Sequence, residues 1–417
     1  MTTAISMSHQ TAPVGTRERF ALAPDARAAL LERAAEVGGG AALLGTCNRL
    51  ELYVSAEIPP RALVELVASA TTGSPELTRR AFRPYQGSDA VEHLFRVAAG
   101  LDSLVLGEAE ILGQVRTAFS EAVAAGTTDR TITHLFHSAI RTGRRARAET
   151  AIGAHSVSVS ALAARAADQH FDGIRERTAI VVGAGDAGRL AASALRDRGI
   201  GRLIIANRTF ETARVLAESL RAEVVPLDAL PSVLPAADIV LTSIGAGIPV
   251  ISVKGAEAAM AQREGATMLL IDIAVPRDID PAAGEVPGVT LLDVDHLEGL
   301  AAENAALRKA EVSAVEGIVA ASVADFATWA EQRAAIPTIR DLTGWADTVR
   351  ARQVARALKG SGLSPEERER ILPLLESFSR SLVQQILHPP ISAAREGPGP
   401  RNLAALRELF DLDSSEG

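Results

Sequence analysis

A glycine triplet at positions 183, 185 and 188 limits the fold of this chain more than any other feature. The apolar stretch Thr178–Val182 runs straight into Gly183-Ala184-Gly185-Asp186-Ala187-Gly188, and helix-forming sequence follows to just before Gly199. Between a strand and a helix, this spacing suits a dinucleotide pyrophosphate. The first glycine permits the tight turn, the second admits the phosphates close to the backbone, and the third lets helix and strand pack closely. The helix N-terminus adds N–H donors and the positive end of its dipole. The alternation continues with a strand at Arg202–Ala206, a helix at Glu211–Leu220, short strands at Glu223–Pro226 and Asp238–Leu241, and the apolar run Met268–Ile273. Such βα alternation predicts a parallel, doubly wound sheet, a Rossmann-type domain. A free ribose 2′-hydroxyl calls for an acid at the tip of the second strand. That tip carries Asn207-Arg208-Thr209 instead. A guanidinium there can pair with a 2′-phosphate, so NADPH is expected rather than NADH, and these three residues join positions 183–188 as the cofactor-binding set.

Two further blocks flank this one. Residues 1–155 open with alternation over Ala4–Ser8, then a helix over Pro24–Val37 with proline at its start and Gly38–Gly40 at its end. Strands at Ala41–Leu44 and Leu50–Ser55 flank the polar segment Gly45–Arg49, and a helix over Arg61–Ala70 and a strand near Ala81–Tyr85 follow. The order β-α-β-β-α-β predicts a ferredoxin-like α+β unit, and helical spacing takes over from Ser88 to about Glu149. The Rossmann block covers 156–295. In the third block, 296–417, Leu297, Leu300, Leu307, Val315, Ile318, Phe326 and Trp329 recur at near-heptad steps. They predict a helix of about 35 residues, either a spacer or oligomerisation seam or a bent helix packed along the other domains. Two or three helices are expected over Ile336–Leu387, and a loop at Glu396–Pro400. The whole reads as an α/β multidomain protein.

The chain has one cysteine among 417 residues, Cys47. That excludes an intrachain disulfide and any cysteine cage for zinc or iron–sulfur, and no metal site is expected. No uninterrupted apolar run approaches the roughly 18 residues of a membrane span. The opening MTTAISMSHQ lacks a basic and an apolar leader region, so a cytoplasmic protein without membrane attachment is expected. Cys47 itself lies in Leu43-Leu-Gly-Thr-Cys-Asn-Arg-Leu-Glu-Leu-Tyr53, a polar break between two strands. A lone cysteine is often an inert small hydrophobe. Polar flanks, a strand-end position and the neighbouring Arg49, a cation able to lower a thiol pKa, point the other way. A thiolate beside a hydride donor suits one chemistry: attack on an activated acyl group gives a thioester, and reduction releases an aldehyde. With no Walker A sequence to activate a free acid, the acyl group must arrive activated. His93, one of 8 histidines, is the candidate proton carrier, with a plain helix-surface role as its alternative.

The segments SHQTAPVGTRE, LLGTCNRLELY, AAGLDSLVLGEAEILGQV, SVSVSALA, VVGAGDAGRL, IIANRT and LLIDIAVPRDIDP, spanning residues 6 to about 281, resemble those of the glutamyl-tRNA reductases. The resemblance implies NADPH-dependent reduction of glutamyl-tRNA to glutamate-1-semialdehyde with release of tRNA. That is the first committed step of the five-carbon route to 5-aminolevulinate and tetrapyrroles. It implies a catalytic domain, an NADPH domain and a long spinal helix leading to an α-helical dimerisation domain, in a V-shaped homodimer. It also implies partnership with the aminotransferase that consumes the aldehyde. By resemblance Cys47 is the nucleophile and His93 assists the thiol or the departing ribose hydroxyl. Thr46, Asn48 and Arg49 bind substrate, with Arg49 on the glutamyl carboxylate. Ser103, Glu108, Ala109, Glu110 and Gln114 form a second substrate segment, with Glu108 on the ammonium. Glu110 departs from the family's usual Gln, and Gln10 from its usual Lys.

Thiol and nicotinamide sites lie on different blocks, so domain closure is expected before reduction. Lys plus Arg number 43 against 51 acids, a net charge of −8, so tRNA needs a local basic face. Arg141, Arg144, Arg145 and Arg147 form the densest basic run, either that face or a solvated one paired with acids. Two rival classes share parts of the pattern. A shikimate-dehydrogenase-like or acyl-phosphate reductase explains the Rossmann half but not Thr46–Arg49 with the long helix. A nucleotide-sensing scaffold would leave Cys47 inert.

Overall fold

A computed structural model describes residues 2–108, 110–153, 158–245, 247–297, 309–396 and 400–412. The chain divides into two compact units, Met1–Val323 and Ala324–Gly417. The first holds both sheets, so the first two sequence blocks form one unit.

The smaller sheet has four strands, β1 (Thr3–Ser8), β2 (Ala41–Gly45), β3 (Arg49–Val54) and β4 (Arg83–Gln86), in the order β2-β3-β1-β4. Every neighbouring pair is antiparallel. This is the ferredoxin-like arrangement, in which each helical crossover skips one strand. A short helix over Pro75–Ala81 occupies sequence that the alternation pattern had left open, with Ser74 capping it by accepting the Leu77 N–H at 3.2 Å. One sheet face packs Ile5, Met7, Leu43, Leu50, Leu52 and Val54 against the helices Pro24–Gly38 and Pro60–Ala70. The other face lies under the helices Ser88–Ala99 and Arg130–Glu149, where Tyr53 meets Phe136 edge to face at 5.8 Å. Because both faces are covered, β1 and β3 are buried along their full length.

The larger sheet is parallel throughout, with six strands: β5 (Thr178–Val182), β6 (Arg202–Asn207), β7 (Glu223–Pro226), β8 (Ile239–Thr242), β9 (Met268–Asp272) and β10 (Val289–Asp293). The order β10-β9-β8-β5-β6-β7 reverses direction between β5 and β8, the switch point where doubly wound sheets bind ligands. β10 was not visible as a strand in the sequence. Its residues mix apolar and polar at an edge, so they lack the continuous apolar run of the central strands.

The second unit comprises the remainder of a helix running Lys309–Gly360, then Pro365–Glu396 and Pro400–Leu409. The long helix has 52 residues, not about 35. It continues through Pro337, which removes one backbone bond without ending the helix. Residues 298–308, with the expected start at Leu300 and Leu307, lie outside the described residues. By length and composition alone this helix could pass for a membrane span, an outcome the search for uninterrupted apolar runs missed because charged residues punctuate it. Leu342, Ala346, Leu387 and Leu412 form the unit's small core, and Arg407 pairs with Asp341 at 3.0 Å. Leu374, Phe378, Leu382 and Ile386 recur every fourth residue and are exposed, one apolar stripe left uncovered.

Candidate active site

Cys47 sits at the apex of the β2–β3 connection. The Thr46 hydroxyl accepts the N–H groups of Asn48 at 3.1 Å and Arg49 at 3.2 Å, and the Thr46 N–H donates to the Arg49 carbonyl at 2.8 Å. This hydroxyl-closed turn fixes the thiol between two buried strands. The turn is braced from β1, where the His9 N–H reaches the Asn48 carbonyl at 3.0 Å.

Period-two alternation puts Arg49, Glu51 and Tyr53 on one buried face of β3, and antiparallel register sets Ser6 opposite Glu51. The Glu51 carboxylate is a hub. It accepts Arg49 Nη1 at 2.6 Å, Tyr53 OH at 2.6 Å and Ser6 Oγ at 2.8 Å, and lies 3.0 Å from His93 Nε2. Burial opposes its ionisation, yet His93 and Arg49 hold its carboxyl far below the usual carboxylate range. Arg49 also donates to the Asp102 carbonyl at 2.6 Å. His93 Nδ1 lies 3.7 Å from Asp102 Oδ2 and its ring stacks on Tyr85 at 4.1 Å. The imidazole is therefore clamped, and His93 is buried rather than on a helix surface.

Cys47 lines a cavity of about 200 Å³ with Met7, Arg17, Phe20, Arg49 and, from the Rossmann side, Gly245, Val275 and Pro276. The thiol is partly buried. Burial, with the carboxylates of Glu108 and Glu110, pushes it up to about 12, and Arg17 is the cation that pulls the other way. The expectation that Arg49 lowers the thiol pKa fails because Arg49 is neutralised by Glu51. Burial and the adjacent Glu110 push Glu108 up to about 7. Burial and Asp186, on the glycine-rich loop, also raise Glu110. Asn48 Oδ1 and Glu110 Oε1 are buried with no hydrogen-bond partner among the described residues, while Ser103 hydrogen-bonds the Glu108 carboxyl. Polar atoms orphaned in this way are costly unless a ligand satisfies them.

A carboxyl raised in the fold favours folding below its unfolded pKa and loses that favour as pH rises through its folded value. Glu108→Gln is therefore expected to stabilise the first unit by about 2–3 kcal/mol at pH 8 and by under about 1 kcal/mol at pH 5. Urea unfolding at the two pH values measures this. Equal effects at both would remove Glu108 as the titrating group.

The glycine-rich loop fits a dinucleotide. Gly183 has φ +110°, and a Cβ on Gly188 would stand 2.0 Å from the Gly183 carbonyl oxygen, so neither tolerates a side chain. A Cβ on Gly185 would meet nothing within 4 Å, leaving its backbone open to a phosphate. Asn207 Oδ1 accepts the Ala184 N–H at 3.3 Å, tying the loop to the β6 tip. The helix Asp186–Asp197 starts there with Ala187 in its first turn, while Thr209 precedes the helix Phe210–Leu220 and Arg208 is exposed. No acid sits at that tip. Opposite, Asp278 accepts the N–H groups of Ile244 at 2.6 Å and Gly245 at 3.0 Å. Asp272 accepts those of Ala274, Asp278 and Ile279, with burial pushing it up to about 6.

Of the expected substrate residues, Thr46, Asn48 and Arg49 share the turn with Cys47, the carboxylates of Glu108 and Glu110 act on its thiol, and Ser103 hydrogen-bonds Glu108. Gln114 follows Glu110 by one turn on the helix Glu110–Ala124. Ala109 lies outside the described residues. His93 does not line the Cys47 cavity. In the basic run, Arg147 donates to the carbonyls of Ala98, Gly143 and Glu108 and Arg145 pairs with Glu149, leaving Arg141 and Arg144 as its exposed members. Sequence reasoning missed Arg17, Glu51, Asp102, Arg277 and Asp295. For Glu51 a signal existed, a charge alternating with Arg49 and Tyr53 in a strand; Arg17 and Asp295 are 278 residues apart and Arg277 is 259 from its partner Glu18, while Asp102 meets Arg49 from 53 residues away.

Residues 5–150 match the family described as glutamyl-tRNAGlu reductase, N-terminal domain. Residues 165–300 match shikimate / quinate 5-dehydrogenase, and 314–412 match glutamyl-tRNAGlu reductase, dimerisation domain. Glutamyl-tRNA reductase from Rubrobacter xylanophilus is 42% identical, over 96% of this chain and 94% of its own. That from Alkalilimnicola ehrlichii is 39% identical, over 99% and 93%. Among solved structures, glutamyl-tRNA reductase from Methanopyrus kandleri is similar at a TM-score of 0.56 with 30% identity, covering 100% of this chain and 99% of that one.

Proposed function

The chain belongs to the glutamyl-tRNA reductase family, and from that premise we propose that it reduces the glutamyl ester of tRNA to glutamate-1-semialdehyde through a Cys47 thioester. The observation that carries this reading is the placement of one thiol in a cavity walled by both sheets' loops, beside buried polar atoms that lack partners. The Cys47 sulfur attacks the ester carbonyl, the C–S bond forms, and the tRNA ribose oxygen departs with a proton. The glutamyl ammonium fits Glu108, Glu110 and Asn48 Oδ1. Its charge offsets the two carboxylates that hold the resting thiol protonated. Arg49 lines the cavity and remains our assignment for the glutamyl carboxylate, held rigid by Glu51 and Asp102. Clamped away from the cavity, His93 suits the departing ribose oxygen better than the thiol.

Residues 183–188 and 207–209 would hold NADPH, which would supply the hydride that turns the thioester into the aldehyde. For the 2′-phosphate we assign Arg208. Arg208→Glu is expected to raise KM for NADPH by about 10- to 100-fold and to leave KM for NADH within about threefold. Steady-state kinetics with both nucleotides decides it, and equal changes would sink the assignment.

The reading itself is tested without nucleotide. Mixed with glutamyl-tRNA, the protein should gain one glutamyl group by intact mass, and added NADPH should discharge it as aldehyde. A protein that never acquires the adduct refutes the reading. The uncovered stripe on Pro365–Glu396, within the segment matching the dimerisation domain, supports a homodimer joined through that face. Arg141 and Arg144 are our candidates for tRNA phosphate contacts. An unstable aldehyde product supports handover to the aminotransferase that consumes it, and a charged-tRNA substrate supports a cytoplasmic location.

A further inference from the structure

Two consecutive residues of opposite charge, Arg17 and Glu18, both reach across to the Rossmann side of the first unit. Arg17 Nη2 meets Asp295 Oδ1 at 3.0 Å, while the other Asp295 oxygen accepts the Val14 N–H at 2.8 Å. Arg17 also donates to the Ala12 carbonyl at 3.0 Å and is only 2% exposed. Glu18 takes Arg277 in a two-point pair, Nη2 to Oε1 at 2.6 Å and Nε to Oε2 at 2.9 Å. Such a fork fixes orientation as well as distance.

Arg17 lines the Cys47 cavity, and Glu18 and Arg277 lie beside its lining residues in sequence. Arg17 and the following Phe20, Ala21 and Leu22 line one wall. Arg277 directly follows Val275 and Pro276, which line the other with Gly245. The far wall is stiff, because Asp278 binds the Gly245 N–H and its own N–H is held by Asp272. A displacement at Arg277 is therefore carried to the loops beside the β5–β8 switch point. The sequence placed thiol and nicotinamide on different blocks, and these two pairs tie those blocks together.

We propose that the Glu18–Arg277 pair is a positioning pair for thioester reduction, registering the nicotinamide-side wall against Cys47, and that it takes no part in forming the thioester; Arg17–Asp295 is a second tie between the same walls. This rests on the function proposed above. In the step concerned, one hydride reaches the thioester carbon, the C–S bond breaks, the electron pair leaves with Cys47 sulfur, and NADPH becomes NADP⁺. An error of about 1 Å in such a geometry costs on the order of 100-fold. Acyl transfer to sulfur, as assigned above, rests on Cys47, Arg49, His93, Glu108 and Glu110, and on neither Glu18 nor Arg277.

Glu18→Arg, Arg277→Glu, the double exchange and the milder Glu18→Gln are to be compared in two single-turnover measurements. These are glutamyl-thioester formation without nucleotide, read by intact mass, and its discharge on adding NADPH. Each charge reversal should slow discharge by about 10- to 100-fold and leave formation within about twofold; Glu18→Gln should slow discharge by about 3- to 10-fold, and the double exchange should recover to within about threefold. Hydrogen exchange over residues 14–21 and 273–278 without nucleotide should rise in the single variants and fall back in the double. Unchanged discharge despite faster exchange overturns the proposal, as does equal slowing of both half-reactions. If the unaltered protein forms no thioester, the reading of its function falls and this proposal with it.

Discussion

Replacing Cys47 by serine is expected to abolish the glutamyl adduct and to lower NADPH-dependent aldehyde formation by at least about 10⁴-fold. The hydroxyl differs from the thiol by one atom, so the turn closed by Thr46 should survive, and unfolding by urea should move by under about 1 kcal/mol. The chemistry cannot survive. A serine oxygen is a far weaker nucleophile near neutral pH, and the ester it would form has a less electrophilic carbonyl than a thioester. Intact mass after mixing with glutamyl-tRNA checks the prediction directly, because the chain has no second cysteine to take over. An adduct that persists in Cys47→Ser would move the nucleophile elsewhere.

Glu51→Gln is the second large effect, and it falls on stability as well as activity. The change keeps the volume but removes the charge that pairs with Arg49, whose guanidinium is 2% exposed. Breaking a buried pair from one side leaves an uncompensated charge and costs about 3–5 kcal/mol. Ser6→Ala removes one neutral donor to the same carboxylate and should cost about 1 kcal/mol. The pH dependence has a defined sign. Glu51 is held below its unfolded pKa, so its contribution is present above the ordinary carboxylate range and is lost only as pH falls through its depressed folded value. The gap between Glu51→Gln and the unaltered protein should therefore narrow on acidification. Urea midpoints of the first unit at several pH values measure both. A loss no larger than that of Ser6→Ala would show that Arg49 finds another partner.

Several elements were legible in the sequence because their causes are local. The strand Thr178–Val182, the glycines after it and the helix Asp186–Asp197 lie within about twenty residues, and each glycine answers a steric demand of its own turn. The small sheet's strand order followed from alternation and helix punctuation. Bounds shifted where side chains compete: Pro75–Ala81 became a helix once Ser74 capped it, displacing the start of β4. The long helix outran its expected length because one proline removes a single bond among many, and an alanine-rich sequence loses little by continuing.

By itself the sequence determined the Rossmann turn, the absence of an acid at the β6 tip and the lone thiol between two strands. These rest on residue identity and short spacing. Only the tertiary structure decided the electrostatics. Arg49 is paired with Glu51, Arg147 binds three carbonyls, and Arg17 reaches Asp295, 278 residues away. Which charge neutralises which depends on distances of a few ångströms between segments remote in the chain, and the Coulomb and desolvation terms that set a pKa change steeply over that range.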